Sequence, residues 1–215
     1  MKKIITIISS FLLVLAGFNG YTQKSLNDGT LVYDVSIKTG ATTNSATNTV
    51  YIKGNNSRTE MISTLGNETT IYNSKSGSAV ILKEFSGQKL MIRLTKEDWD
   101  SKNSLYKNIS FITTGETKVI SGYNCKKATA KLEDGKMLTV YYTTEIAIPN
   151  KQYDATFANL PGLPLEYEIE TGKLRFSYTV SKINFDVVPL AKFDFPTAGY
   201  RVMTYEENQQ MKKGN

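Results

Sequence analysis

From Gly29 onward, apolar and polar residues alternate with a period of two in short runs rich in Val, Ile, Thr, Tyr and Phe. Leu31, Tyr33, Val35 and Ile37 point to one side of an extended segment, and Thr30, Asp34, Ser36 and Lys38 to the other. The same pattern sets Leu90, Ile92 and Leu94 against Lys89, Arg93 and Thr95, and Leu138, Val140 and Tyr142 against Thr139 and Thr143. It returns where Leu174, Phe176, Tyr178 and Val180 alternate with Arg175, Ser177, Thr179 and Ser181. This period gives each strand one apolar and one wet face, as in antiparallel sheets. Turn sequences separate the runs at hairpin spacing, among them Lys53-Gly54-Asn55-Asn56, Leu65-Gly66-Asn67, Ser86-Gly87, Glu133-Asp134-Gly135 and Thr171-Gly172. The pattern predicts strands near 29–38, 47–53, 57–65, 68–73, 78–85, 88–95, 116–121, 124–132, 136–143, 164–170 and 173–184.

Two stretches read as helix. Thr95 precedes Lys96-Glu97-Asp98-Trp99 with acids in the first turn, and Thr204-Tyr205-Glu206-Glu207 forms a capping box that opens a short helix over 204–213. Two such pieces cannot cover the apolar face of so many strands. The expectation is an all-β fold with two short helices, built on a single, strongly curved antiparallel sheet that forms an open or half barrel.

The first residues have a different pattern. Lys2 and Lys3 precede a nearly continuous apolar run from Ile4 to Phe18, followed by Gly17, Gly20 and Thr22, which together read as a cleaved export signal over residues 1–22. Thr6, Ser9 and Ser10 interrupt the run, which is too short for a bilayer-spanning helix, so no membrane span is expected after cleavage. Residues 23–215 read as one antiparallel β domain, placed in the periplasm or outside the cell.

Charge and composition narrow the function classes. Lys2 and Lys3 are two of the 26 basic residues, and the rest are scattered in a small excess over the 20 acidic ones, so no nucleic-acid partner is expected. With no histidine, the chain has no imidazole base, no Ser/His or Cys/His pair and no ordinary transition-metal site. Its single cysteine, Cys125, cannot form an intramolecular disulfide, and despite Lys126 and Lys127 it reads as a buried thiol. Glu166, Glu168 and Glu170 lie on one face of a strand, a spacing open to a calcium site or an acid/base pair but read here as a solvated, charge-guarded surface. The charges around Trp99 are read the same way. A carboxylate hydrolase using Glu166 or Asp98 is disfavoured, because that chemistry sets its carboxyls across a cleft. No enzyme, cofactor or metal is expected.

Two segments go beyond a generic β protein. Gly122-Tyr123-Asn124-Cys125-Lys126-Lys127-Ala128 places a tight turn before a strand, and some thirty residues later comes Asn159-Leu160-Pro161-Gly162-Leu163-Pro164-Leu165-Glu166-Tyr167-Glu168. Together they resemble an exported Bacteroidota family of unknown function named for a Gly-Leu-Pro-Gly-Leu-Ile motif, with Asn159 in place of the first Gly and Pro164 in place of the final Ile. The resemblance covers roughly residues 116–205. It implies kinship with periplasmic lipoprotein carriers, whose curved sheets shield acyl chains, and it implies no catalytic residue. Gly122, Tyr123, Cys125, Leu160, Pro161, Gly162, Leu163 and Pro164 are read as architectural, the prolines fixing φ in a rigid crossover. The resulting expectation is a non-enzymatic envelope protein that binds a lipid, lipopeptide or other apolar ligand in a half-barrel. Its lining would come from Leu31, Tyr33, Val35, Leu90, Ile92, Leu94, Leu174, Phe176 and Tyr178. The alternative is an envelope scaffold or protein-interaction module with a fully packed β-barrel.

Overall fold

The computed structural model describes residues 23–196 and 198–213, so the export segment read over residues 1–22 lies outside them. A short strand, β1 (Lys24–Ser25), pairs in parallel with β11 (Ile146–Ala147). The alternating runs form two consecutive antiparallel meanders. The first comprises β2 (Asp28–Thr39), β3 (Thr42–Lys53), β4 (Asn56–Ser63), β5 (Gly66–Asn73), β6 (Ala79–Phe85) and β7 (Gln88–Leu94). The second comprises β8 (Ile112–Ile120), β9 (Tyr123–Lys131), β10 (Met137–Thr143), β12 (Leu163–Thr171) and β13 (Leu174–Asn184). The meanders meet where β13 pairs antiparallel with β2, and β14 (Arg201–Thr204) adds in parallel to β7 to complete a 12-stranded sheet. At the β8–β9 corner Ser121 and Gly122 both take positive φ, 48° and 83°, the backbone hand that a tight hairpin between twisted strands requires.

The sheet is open. Its end strands are β8 and β14, and it is neither closed by hydrogen bonds nor strongly curled. This corrects the expected half barrel. The expectation assumed that only helices could cover the apolar face, whereas irregular connections do most of that work. Helix α1 (Lys96–Lys102) starts at a capping box in which Thr95 Oγ1 accepts from the Asp98 N–H at 3.2 Å and Asp98 Oδ2 accepts from the Thr95 N–H at 3.0 Å. Helix α2 (Tyr205–Lys213) follows β14. Between β11 and β12, residues 148–162 contribute the buried side chains of Tyr153, Phe157 and Leu160 to the core without forming a regular element longer than a 3-10 turn.

Cross-strand partners share a face, which places both hydrophobic clusters on the same side of the sheet. The larger cluster joins β2, β3, β9, β10, β12 and β13 to residues 148–162. The smaller joins β5, β6 and β7 to α1 and β14, with Trp99 stacked on Tyr72 at 4.4 Å. On the opposite face, residues 185–196 form a strap that leaves β13, and residues 198–200 lead into β14. The Val188 N–H donates to Asp28 Oδ1 at 2.7 Å, Arg58 Nη1 donates to the carbonyls of Lys192 and Asp194 at 3.1 Å each, and Tyr200 Oη donates to Glu84.

Candidate functional site

The two clusters do not merge. Across the core face one row of partners reads Tyr33, Asn48, Met61, Glu68, Lys83 and Leu90, so a polar waist separates the apolar ends. Glu68 and Lys83 pair at 2.6 Å across β5 and β6. Asn48 is only 4% exposed, and its Oδ1 has no hydrogen-bond partner among the described residues. A buried amide oxygen left unpaired carries its full desolvation cost, which makes this position unlike the rest of the core.

Residues 150–160 lie beside the waist. Asn150 Nδ2 donates to the Gly54 carbonyl at 2.9 Å, Ser57 Oγ donates to the Tyr153 carbonyl at 3.4 Å, and Asn159 Nδ2 donates to the Ile109 carbonyl at 3.1 Å. The segment therefore bridges the β3–β4 turn and the chain leaving α1, forming a seam. Two groups stand out in it. Tyr153 is buried, and its hydroxyl faces that of Tyr33. Tyr33 has committed its own proton to the Pro164 carbonyl at 2.9 Å. Asp154 caps the turn Ala155–Phe157 by accepting from the Thr156 N–H at 2.9 Å.

Asp154 is half-buried, but its carboxyl is packed among protein atoms. Desolvation raises its pKa above the ordinary aspartate value, opposed by the Thr156 hydrogen bonds and by Lys102. Its charge is felt by Tyr33, Tyr106, Tyr153, Tyr167 and Tyr178, all raised first by burial. These rings form a connected aromatic group. Tyr167 stacks on Tyr178 at 4.5 Å, Tyr33 meets Tyr167 edge-on at 5.8 Å, and Phe157 meets Tyr167 at 4.6 Å. Tyr106 and Tyr178 remain half-buried and so reachable from outside.

The structure divides the residues expected to line one cavity. Leu31, Tyr33 and Val35 are buried in the larger cluster, with Leu174, Phe176 and Tyr178 half-buried against it, whereas Leu90, Ile92 and Leu94 pack around Trp99 in the smaller. Neither the expected lipid-holding half-barrel nor the alternative packed barrel is present, because the open sheet encloses no interior. β-Barrel and lipid-binding descriptions fall with it. Glu166, Glu168 and Glu170 face outward, each with its own partner: Lys118 at 2.5 Å, Ser177 at 2.8 Å and Arg175 at 2.7 Å. Among the described residues no three Cys, Asp or Glu side chains are placed to hold a metal ion. None of their helices is long and apolar enough to cross a membrane. Cys125 is buried and its thiol is pushed up to about 11 by desolvation, so it is a poor nucleophile.

The two segments singled out in the sequence come together at the N-terminal strand. Gly122 and Tyr123 border an open groove of about 740 Å³, and Leu160, Pro161, Gly162 and Pro164 border an adjoining cavity of about 170 Å³, with Gln23 lining both. Leu163 is fully buried beside them. Sequence reading missed Asn48, Glu68, Lys83, Tyr153 and Asp154. A signal was present for three of them: Asn48 stands between Ala46 and Val50, Glu68 between Gly66 and Thr70, and Lys83 between Ile81 and Phe85 on the inward faces of their strands.

Residues 32–155 match the model of a domain of unknown function (DUF4412). The match ends before Asn159 to Pro164, the stretch behind the motif-based resemblance. Among curated proteins none matches the chain. Among solved structures, PNGF-II in a P21 crystal form is 15% identical with a TM-score of 0.49 over 85% of this chain, which spans about a third (33%) of the PNGF-II chain. MucB is 8% identical with a TM-score of 0.41, covering 82% of this chain and 60% of MucB. A DUF1329 family protein from Desulfovibrio piger is 11% identical with a TM-score of 0.37, covering 78% and 90%.

Proposed function

The chain belongs to the DUF4412 family, a domain of unknown function, and from that premise we propose that it is an exported, non-catalytic recognition protein whose site is the polar seam beside Asn48, Tyr153 and Asp154. The observation that carries this reading is a pair of buried polar groups beside Tyr33: Asn48 Oδ1, which has no hydrogen-bond partner among the described residues, and the hydroxyl of Tyr153, which faces that of Tyr33. One is an acceptor and the other a donor, and the aromatic rings beside them suit a small polar solute with a flat or apolar side. The lack of histidine and the outward, partnered carboxylates of β12 support a non-catalytic role. Export is supported by Lys2, Lys3 and the apolar run that follows. The finer kinship, with the Bacteroidota family of the Gly-Leu-Pro-Gly-Leu-Ile motif, is supported by the meeting of its two segments around Gln23.

Replacing Tyr153 by Phe tests the reading, because a buried hydroxyl kept for a ligand contributes little to the stability of the free protein. The Tyr153→Phe variant should melt at the same temperature or higher. In a thermal-shift screen of small polar solutes (sugars, amino acids, amines), the parent should give a saturable rise that the variant lacks. A variant less stable by about 1 kcal/mol, with no solute giving a saturable shift in the parent, would mark the hydroxyl as structural and overturn the reading.

A further inference from the structure

We propose a second binding site, independent of the seam: the open groove of about 740 Å³ beside β1 takes a neutral polyhydroxylated ligand, a sugar residue. The argument starts from how the groove is built. Two stretches distant in sequence are tied together there, the chain entering β11 and the β8–β9 corner. The Lys24 N–H donates to the Glu145 carbonyl at 3.0 Å, and Gln23 Nε2 donates to the Thr144 carbonyl at 2.7 Å. Asn124 then reaches Glu145 twice, its backbone N–H and its Nδ2 both donating to Glu145 Oε1 at 2.9 Å. The run Gly122-Tyr123-Asn124, read in the sequence as architecture, thus also lines the groove.

This network spends donors and leaves acceptors. Gln23 and Asn124 each commit a side-chain N–H, and Ser121 Oγ donates to the Val180 carbonyl at 2.8 Å. Gln23 Oε1, Asn124 Oδ1 and Glu145 Oε2 accept no hydrogen bond from the described residues. Such a lining pairs with a ligand rich in donors, and both a polyol and an ammonium group qualify. Charge decides between them. Lys24 and Glu145 contribute one charge of each sign to the groove, with the Lys24 ammonium 5.5 Å over the Phe185 ring, so the lining carries no net charge with which to select an ion.

Neighbouring hydroxyls of a sugar would donate to the carboxylate and amide oxygens without adding charge. Tyr123 supplies the other half of the recognition. It is half-buried and packed against the larger cluster, which fixes its ring, and such a ring combines an apolar body for the C–H side of a pyranose with a polar tip. The groove lies within the size range of small-molecule sites. Its acceptors are also set in place before a ligand arrives. Asn124 holds Glu145 Oε1, and the Glu145 N–H donates to Thr143 Oγ1 at 3.2 Å, so little freedom is lost on binding.

Amide NMR and calorimetry on the purified protein test this with the methyl glycosides of glucose, galactose, mannose and N-acetylglucosamine, and with tetramethylammonium chloride as a cationic probe. The expected result is saturable binding of at least one glycoside, more tightly than tetramethylammonium, with shift changes confined to residues 23–24, 121–124 and 144–145. Glu145→Gln keeps the shape and the contact with Asn124 but puts an amide N–H₂ where the open oxygen stood, and it should weaken the glycoside at least tenfold with the melting temperature unchanged. Tyr123→Leu should weaken it by a similar factor, and it decides the matter alone if Glu145→Gln does not fold. Tyr153→Phe should leave glycoside binding unaltered. A glycoside lost in Tyr153→Phe but kept in Glu145→Gln belongs to the seam and overturns the groove. The absence of saturable glycoside binding, a preference for tetramethylammonium, or glycoside binding that both groove substitutions leave intact also overturns the proposal, and each leaves the seam standing.

Discussion

Gly162 shows how a single missing side chain can be required for reasons a sequence does not display. Its φ is not in the left-handed region, so backbone hand is not the constraint. A Cβ there would collide with the Thr143 carbonyl oxygen and lie 2.8 Å from Tyr142 Cδ2, where the crossover passes against the end of β10. Leu160 and Leu163, 1% and 0% exposed on either side, leave the segment no room to retreat. We expect Gly162→Ala to destabilise the protein by about 1–3 kcal/mol through overpacking, read as a lower melting temperature. An unchanged melt would mean that the segment yields. The sequence pointed to Gly162 through the flanking prolines but suggested turn geometry, because a close approach between residues 143 and 162 depends on a register that no local pattern encodes. Asp154 was equally hidden. A lone aspartate in a non-periodic stretch gives no hint that its carboxyl will be packed among protein atoms and that its charge will be felt by tyrosines as distant in sequence as Tyr33 and Tyr178.

At the level of elements, the strap over residues 185–196 is held by few contacts of high quality. Arg58 is 18% exposed, donates through Nε to Glu60 at 2.6 Å, and turns Nη1 to two strap carbonyls. Lys192 adds a stacking contact over the Tyr51 ring at 4.5 Å. A guanidinium is suited to this because its planar fork can serve a carboxylate and backbone acceptors at once. Arg58→Ala should loosen the strap more than the sheet. Hydrogen exchange should speed up across residues 189–196, with a loss of about 1–3 kcal/mol, while α1 keeps its protection. Uniform acceleration across both regions would instead mean that the strap and the sheet unfold together. The strands of the meanders were legible because alternation and turn residues are local signals. β1, β11 and β14 were not, being only two to four residues long and paired with distant partners. The β11–β12 connection, which brings Tyr153, Phe157 and Leu160 to the core, has no period either, which is why the covering of the apolar face could not be foreseen and why curling looked compulsory.

For the molecule as a whole, the decisive joint is the β2–β13 ladder, which runs from Thr39 opposite Leu174 to Thr30 opposite Asn184. Apart from the β10–β12 pairing, each meander can form from hairpins whose strands are neighbours in sequence, but this ladder joins segments more than a hundred residues apart, and the loop must close before the pairing rewards it. Its inward residues, Tyr33 and Val180, are 1% and 2% exposed, so it is also among the best-packed places in the protein. Val180→Ala should therefore act mainly after the rate-limiting step. Denaturant chevrons should show faster unfolding with the folding limb nearly unmoved, and a change confined to the folding limb would place this joint in the nucleus instead. Until residues 174–184 arrive, β2 is a bare edge carrying Leu31, Tyr33, Val35 and Ile37, a ready template for a strand from another molecule. A chain built this way is most at risk of pairing with its own copies while only its first half is available, and that exposure ends when its eleventh-hour partner, β13, docks.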